Sequence, residues 1–251
     1  MDVGILLFLM ASGFVAAFID SVVGGGGLIS LPALLMTGLP PVHALGTNKM
    51  ASLMGTLTST LSFLRSGKID LKLMRYLFPL SLAGGAVGVC VVRLIPPHFL
   101  KPLLVVMLVG VMVYTLCKKE FGAVSSYRGL SRREGILSGV LVFLLGFYDG
   151  FFGPGGGTFL IFGFLLIGFD YVCAAANSRV ANFASNLAAT VVFGWGGLID
   201  FHYALPMGLA MAVGAWAGAH VAIHKGVTYV RPLFLVVTTL LIGKQLWTLF
   251  F

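Results

Sequence analysis

What most constrains this chain is a succession of apolar segments, too many and too long for a water-soluble core. Apolar residues run almost unbroken over about 3–22, 27–37, 43–64, 73–95 and 99–117, and again over 134–150, 157–169, 173–193, 204–223 and 232–250. A helix of about 20 apolar residues crosses the hydrocarbon layer of a bilayer. All the runs have roughly that reach except 27–37 and 157–169. Charged residues are 10% of the 251, whereas a soluble domain carries about 25%. The apolar residues do not alternate with polar ones, so an outer-membrane barrel is excluded. The sequence therefore predicts an all-α membrane protein of about 10 helical segments. Met1–Asp2 lacks the basic start of a cleavable signal peptide, and none is expected.

The net charge of +8 does not mark a nucleic-acid binder, because the basic residues sit mostly in short connecting loops. Cys90, Cys117 and Cys173 and the five histidines (His43, His98, His202, His220, His224) have no metal or redox spacing. No nucleophile motif or phosphate loop is visible. An enzyme, a cofactor and a metal are therefore not expected.

The chain repeats itself. "FIDSVVGGGGL" at 18–28 matches "FYDGFFGPGGG" at 147–157 at a shift of 129, bringing Phe18 onto Phe147, Asp20 onto Asp149 and Gly24 onto Gly153. A shift of 130 then pairs Lys49 with Arg179, Thr60 with Thr190, Asp70 with Asp200, Gly84 with Gly214 and Gly88 with Gly218. Rare residue types matching in constant register indicate two copies of one unit. The first copy spans 1–117 (hairpin 3–37, spans 43–117) and the second spans 134–251 (hairpin 134–169, spans 173–250). A basic cytoplasmic linker, 118–133, joins them.

Loop charges orient the copies. The loop with Arg65, Lys68, Lys72 and Arg75 has a counterpart at 194–203 without Lys or Arg. Placing 65–75, 118–133 and 224–231 inside puts 11 basic residues there, against Arg93, Lys101 and Lys244 outside, as cytoplasmic loops require. Equivalent loops then face opposite sides, so the repeats are inverted and each crosses an odd number of times. Segments 3–22 and 27–37 must form a hairpin that enters and leaves on one side. Each copy becomes a glycine-tipped hairpin plus three spans, with both termini outside.

The tips carry the chemistry. Unwound backbone inside a bilayer leaves polar groups that cost several kcal/mol each, and it survives where protein or a polar cavity covers it. Gly24, Gly25, Gly26 and Gly27, and Gly153, Gly155, Gly156 and Gly157 around Pro154, leave backbone N–H groups free of side chains, and a short helix starts after each run. Helix N-termini bind small anions, and paired half-helices are the arrangement of secondary transporters. For Gly84/Gly88 and Gly214/Gly218, close helix packing is the expected role. Lys49 and Arg179 lie early in the third segment of each copy, where a charge costs at least about 2.5 kcal/mol. Lys49, Ser52 and Thr56 share one helical face, as do Arg179, Asn182 and Asn186, and Asn48, Asn177 and Ser178 sit beside them. Such a set of donors and cations suits an anion. Asp20 and Asp149 are the acids well inside apolar runs. Either could carry a proton, cap its hairpin's loop, or pair with a basic residue.

"FIDSVVGGGGLISLPALL", "ALGTNKMASLMGTLTSTLSFLRSGKID", "GFYDGFFGPGGGTFLIFGFLL" and "AANSRVANFASNLAATVVFGWGGLID" together resemble the sulfite exporter TauE/SafE family, over nearly the whole chain. The resemblance implies a multi-pass transporter, in a prokaryotic plasma membrane, that exports sulfite or an organosulfonate. It points to the glycine runs, Asn48, Lys49 and Arg179 as substrate-binding. The expected partners are a small inorganic or organosulfur anion and membrane lipid, with no nucleic acid. A passive small-anion channel and a non-transporting membrane scaffold are the alternatives.

Overall fold

The structure, a computed structural model, describes residues 3–92, 124–127, 129, 131–226, 228–230, 232–233, 236 and 239–240. Eight helices can be bounded among them: α1 (Val3–Val23), α2 (Gly27–Leu35), α3 (Pro41–Arg65), α4 (Leu71–Val91), α5 (Arg132–Phe151), α6 (Gly156–Ile167), α7 (Tyr171–Trp195) and α8 (Phe201–Lys225). The apolar run 99–117, and most of 232–250, lie outside the described residues. The protein is all-helical there, with α1, α4, α5 and α8 long and apolar enough to cross a membrane. Helices α3 and α7, 25 residues each, have the length but carry Ser, Thr, Asn and one buried basic residue apiece along a polar face. At 1.5 Å per residue, α2 reaches about 14 Å and α6 about 18 Å, short of a crossing.

Acidic residues outside the core mark where helices begin. The carboxylates of Asp70, Asp170 and Asp200 accept N–H bonds from the first turns of α4, α7 and α8. Ser131 and Glu134 form a reciprocal capping box at the start of α5.

Glycines decide which helices meet. A Cβ at Gly84 would lie 2.2 Å from the Phe143 carbonyl oxygen, and one at Gly88 would lie 2.1 Å from that of Phe147. At the equivalent positions, Gly214 meets the Phe14 carbonyl and Gly218 that of Phe18. Both contacts advance in the same direction along each helix, so α4 runs parallel to α5, and α8 runs parallel to α1. Accordingly α4 packs on α5 and α7, and α8 packs on α1 and α3. The fourth helix of each sequence repeat thus closes on the hairpin of the other, with α3 and α7 crossing between them.

The turns gather at two ends. At one, the linker residues Ser126 and Tyr127 donate their N–H groups to the Gly168 carbonyl at 2.8 and 3.0 Å, and the Tyr127 ring stacks on Phe169. Burial and the neighbouring Asp70 push the Tyr127 hydroxyl's pKa up. A surface recess at this end brings together Lys68, Ser125, Asp170 and Gly226. At the opposite end the α3 start meets the α7–α8 turn: Thr47 Oγ1 accepts the Asp200 N–H at 3.0 Å. Its counterpart recurs at the first end, where Asn177 Oδ1 accepts the Asp70 N–H at 3.0 Å.

Candidate functional site

The two glycine runs break the hairpins and touch. Gly24 and Gly25 have φ of 78° and 87°, and Gly153 and Gly155 have 90° and 80°, a region that side chains resist. Space is as restrictive as angle. A Cβ on Gly24 would lie 2.2 Å from the Thr158 nitrogen and 2.4 Å from the Gly157 carbonyl carbon. The tips therefore meet backbone to backbone, and α2 and α6 begin immediately beyond. The N–H groups of Gly25 and Gly27 donate to no acceptor among the described residues. Gly26 N–H is used locally, donating to Asp20 Oδ1 at 3.0 Å.

The buried charges cross between the repeats. Lys49 on α3 pairs with Asp149 on α5, Nζ to Oδ2 3.0 Å, with side chains 3% and 5% exposed. Arg179 on α7 pairs through NH1 with Asp20 Oδ2 on α1. Each cation thus meets the acid of the opposite hairpin. Asp149 Oδ2 also accepts the Ser185 hydroxyl at 2.6 Å. The sequence left capping and pairing open for the aspartates, and Asp20 does both. Two cations thus face two carboxylates, the pairing that the sequence left as one alternative for Asp20 and Asp149. Buried ions persist when paired and hydrogen-bonded, which is why the acids accompany the bases.

A polar cavity of about 40 Å³ lies against the pairs. Of the residues expected to bind substrate, Gly25, Gly26, Gly27, Asn48, Lys49, Ser52, Gly153, Gly155, Gly157 and Asn182 line it, together with Asp20 and Asp149. Gly24, Gly156, Asn177, Ser178 and Arg179 do not line it. Gly24 is consumed by the tip contact. Gly156 packs on Asp149, where a Cβ would meet Oδ1 at 2.7 Å. Asn177 instead tethers the α4 start and donates to the Cys173 carbonyl. The Ser178 hydroxyl donates to the Ala175 carbonyl and accepts from the Arg179 guanidinium, which is itself fully buried.

Thr56 and Asn186, from the two polar faces, also line the cavity, and so do Ser21, Ser30 and Ser59, which the site reading did not include. Thr56 and Asn186 were legible from helical spacing, one turn beyond Ser52 and Asn182. Ser21 and Ser30 had no counterpart in the second copy, where Gly150 and Phe159 stand. Asn48, Asn182 and Asn186 are all buried, and Asn48 Oδ1 has no hydrogen-bond donor among the described residues. A buried amide oxygen without a protein partner, on the wall of a polar cavity, points to a ligand that supplies one.

An apolar helical shell with two broken hairpins meeting at a polar cavity is an arrangement that suits a membrane transporter. The comparisons with known proteins give the family. The chain belongs to the sulfite exporter TauE/SafE family, whose model matches residues 9–244. It is 38% identical over 235 residues to the "Probable membrane transporter protein ORF9" of a Sinorhizobium species, covering 93% of this chain and 89% of that one. It is also 38% identical over 251 residues to a "Probable membrane transporter protein" of Haemophilus influenzae (98% and 97% covered). The "Probable membrane transporter protein YfcA" of Escherichia coli K12 is 30% identical over 246 residues (97% and 89% covered). No solved structure is a significant match.

Proposed function

We propose that the protein exports a small sulfur-containing oxyanion, sulfite or an organosulfonate, across a prokaryotic plasma membrane by alternating access. In this reading 1–117 and 134–251 are inverted repeats about the linker 118–133, with both termini outside. The shared recess of Lys68, Ser125 and Gly226 supports placing the basic loops on one side. The substrate is held at the hairpin tips by Lys49, Asn48, Ser52, Asn182 and the glycine N–H groups. The observation that carries the proposal is the polar cavity at the crossed pairs. A water needs about 10–15 Å³ of such space, so about 40 Å³ holds some three waters, or the three oxygens of a compact oxyanion.

The crossed pairs give the cycle its electrostatics. An empty site with Lys49–Asp149 and Arg179–Asp20 closed is neutral and stable in the low-dielectric interior. An entering oxyanion competes with Asp149 for the Lys49 ammonium, and a proton on Asp149 removes that competition. Anion and proton occupancy are thereby linked, which makes Asp149, with Asp20 second, the proposed coupling residue. Rocking of the hairpins against α3, α4, α7 and α8 then changes the side to which the cavity opens. The close contact of Gly24 with Gly157 and Thr158 supports alternating access over an open passive channel.

Uptake and efflux of labelled sulfite, thiosulfate and short sulfonates in reconstituted vesicles, with and without a pH gradient, test the proposal. Saturable flux with counterflow of one of these anions is expected. Flux linear in concentration, or none for any sulfur anion, would refute it.

A further inference from the structure

The cavity treats the two repeats unequally. Around Lys49, Asn48 is buried with its Oδ1 free of protein partners among the described residues, and Asn182 and Asn186 are buried side chains on the cavity wall. The counterparts of Asn48, Gly55 and Met211 across the pseudosymmetry of the sequence are engaged instead. Ser178, in the place of Asn48, is bound to Arg179 and to the Ala175 carbonyl. Ser185, in the place of Gly55, donates to Asp149, and Ser81, in the place of Met211, donates to the Ala181 carbonyl at 2.7 Å.

The second tip is also closed off by aromatic side chains. Phe159 stands where Ser30 lines the cavity; it is 2% exposed and meets Tyr148 edge-on. The Tyr148 hydroxyl, at the position of Ile19, donates to the Pro154 carbonyl at 2.8 Å. A cavity placed on the pseudosymmetry of the sequence would touch both cations. This one reaches Lys49 and leaves Arg179 completely enclosed.

Building on the transporter reading, we infer that the substrate site is one-sided: Lys49, Asn48, Asn182 and Asn186 hold the anion, and Arg179 is a positioning residue that fixes Asp20 and the first tip. The chemistry of the two cations fits these roles. The lysine ammonium is a compact point charge on a flexible stem, able to turn from Asp149 to a ligand. The Arg179 fork is planar and already committed to Asp20 and Ser178.

Two measurements on the full chain test this. The first needs no substrate. In a variant whose native cysteines are replaced by serine, Asn48→Cys and Ser30→Cys are compared with Ser178→Cys and Phe159→Cys for reaction with a small charged thiosulfonate in vesicles. Because thiol reactivity follows access, the first pair should react about tenfold faster. Equal rates in the two halves would overturn the inference, and the conservative Ser178→Cys keeps the comparison valid if Phe159→Cys does not fold.

The second measurement uses charge-neutral double variants and radiolabelled sulfite. Lys49→Met/Asp149→Asn should weaken sulfite binding about tenfold or more, the scale of a lost charged hydrogen bond. Arg179→Met/Asp20→Asn should keep affinity within about threefold while lowering maximal flux, a split expected of a residue that positions but does not bind. Equal loss of binding in both would overturn the one-sided site. Absence of sulfite binding in the unaltered protein would instead strike at the substrate proposed above, leaving the labelling rates to decide this inference.

Discussion

Lys49 and Asp149 are 100 residues apart in the chain, yet Nζ and Oδ2 lie 3.0 Å apart in a setting where both side chains are at least 95% buried. With its counterpart Arg179–Asp20, this contact ties each hairpin tip to the third helix of the opposite repeat. Fold and site are therefore one construction, and substitutions at these positions have a structural as well as a functional consequence.

Removing one partner of a buried pair leaves an uncompensated charge, at a cost of about 3–5 kcal/mol. Lys49→Ala should accordingly lower the melting temperature in detergent and abolish transport. Lys49→Ala/Asp149→Ala should recover much of the stability and none of the transport. A double-mutant cycle read by thermal unfolding checks this, and additive losses would show that the pair is not coupled.

Close backbone approach predicts a sharp size limit on two helix faces. An alanine at Gly84 or Gly214 places its Cβ 2.2 Å from a carbonyl oxygen of the neighbouring helix, so each should destabilise by about 1–3 kcal/mol or more. Gly135 in α5 has nothing within 4 Å of a built Cβ, and Gly135→Ala should stabilise by up to about 1 kcal/mol through helix propensity. Melting curves of the three single variants give the comparison.

If Asp149 carries the coupled proton, Asp149→Asn fixes that group in a neutral form. Flux through the variant should lose its dependence on pH, while Asp200→Asn, at a helix cap, should keep it. Initial rates in vesicles across a series of pH values measure this. Unchanged pH dependence in both Asp20→Asn and Asp149→Asn would remove proton coupling from the mechanism.

At the start of α5 the Ser131 N–H donates to the Glu134 carboxylate at 2.8 Å, and the Glu134 N–H donates to the Ser131 hydroxyl. Replacing such a cap by alanine costs about 0.5–2 kcal/mol. Ser131→Ala should therefore lower the protection of the first-turn amides of α5 severalfold in hydrogen exchange at constant pH, and unchanged protection would show that the capping box does not hold this turn.

The helices, the hairpin breaks and the candidate polar faces were legible in the sequence because each depends on neighbours along the chain. Continuous apolar runs must satisfy their backbone within the segment. Glycine runs break a helix wherever they stand, and Lys49 and Ser52 share a face by spacing alone. Which acid meets which base was not legible, since Asp149 and Lys49 are joined only after Gly84 and Gly88 let α4 and α5 approach across the repeat boundary. Nor could the sequence assign Asn177 to a tether, Ser178 to Arg179, or the cavity to one side. Those outcomes depend on which side chains from distant segments fill or spare the same volume, and packing in three dimensions alone decides that.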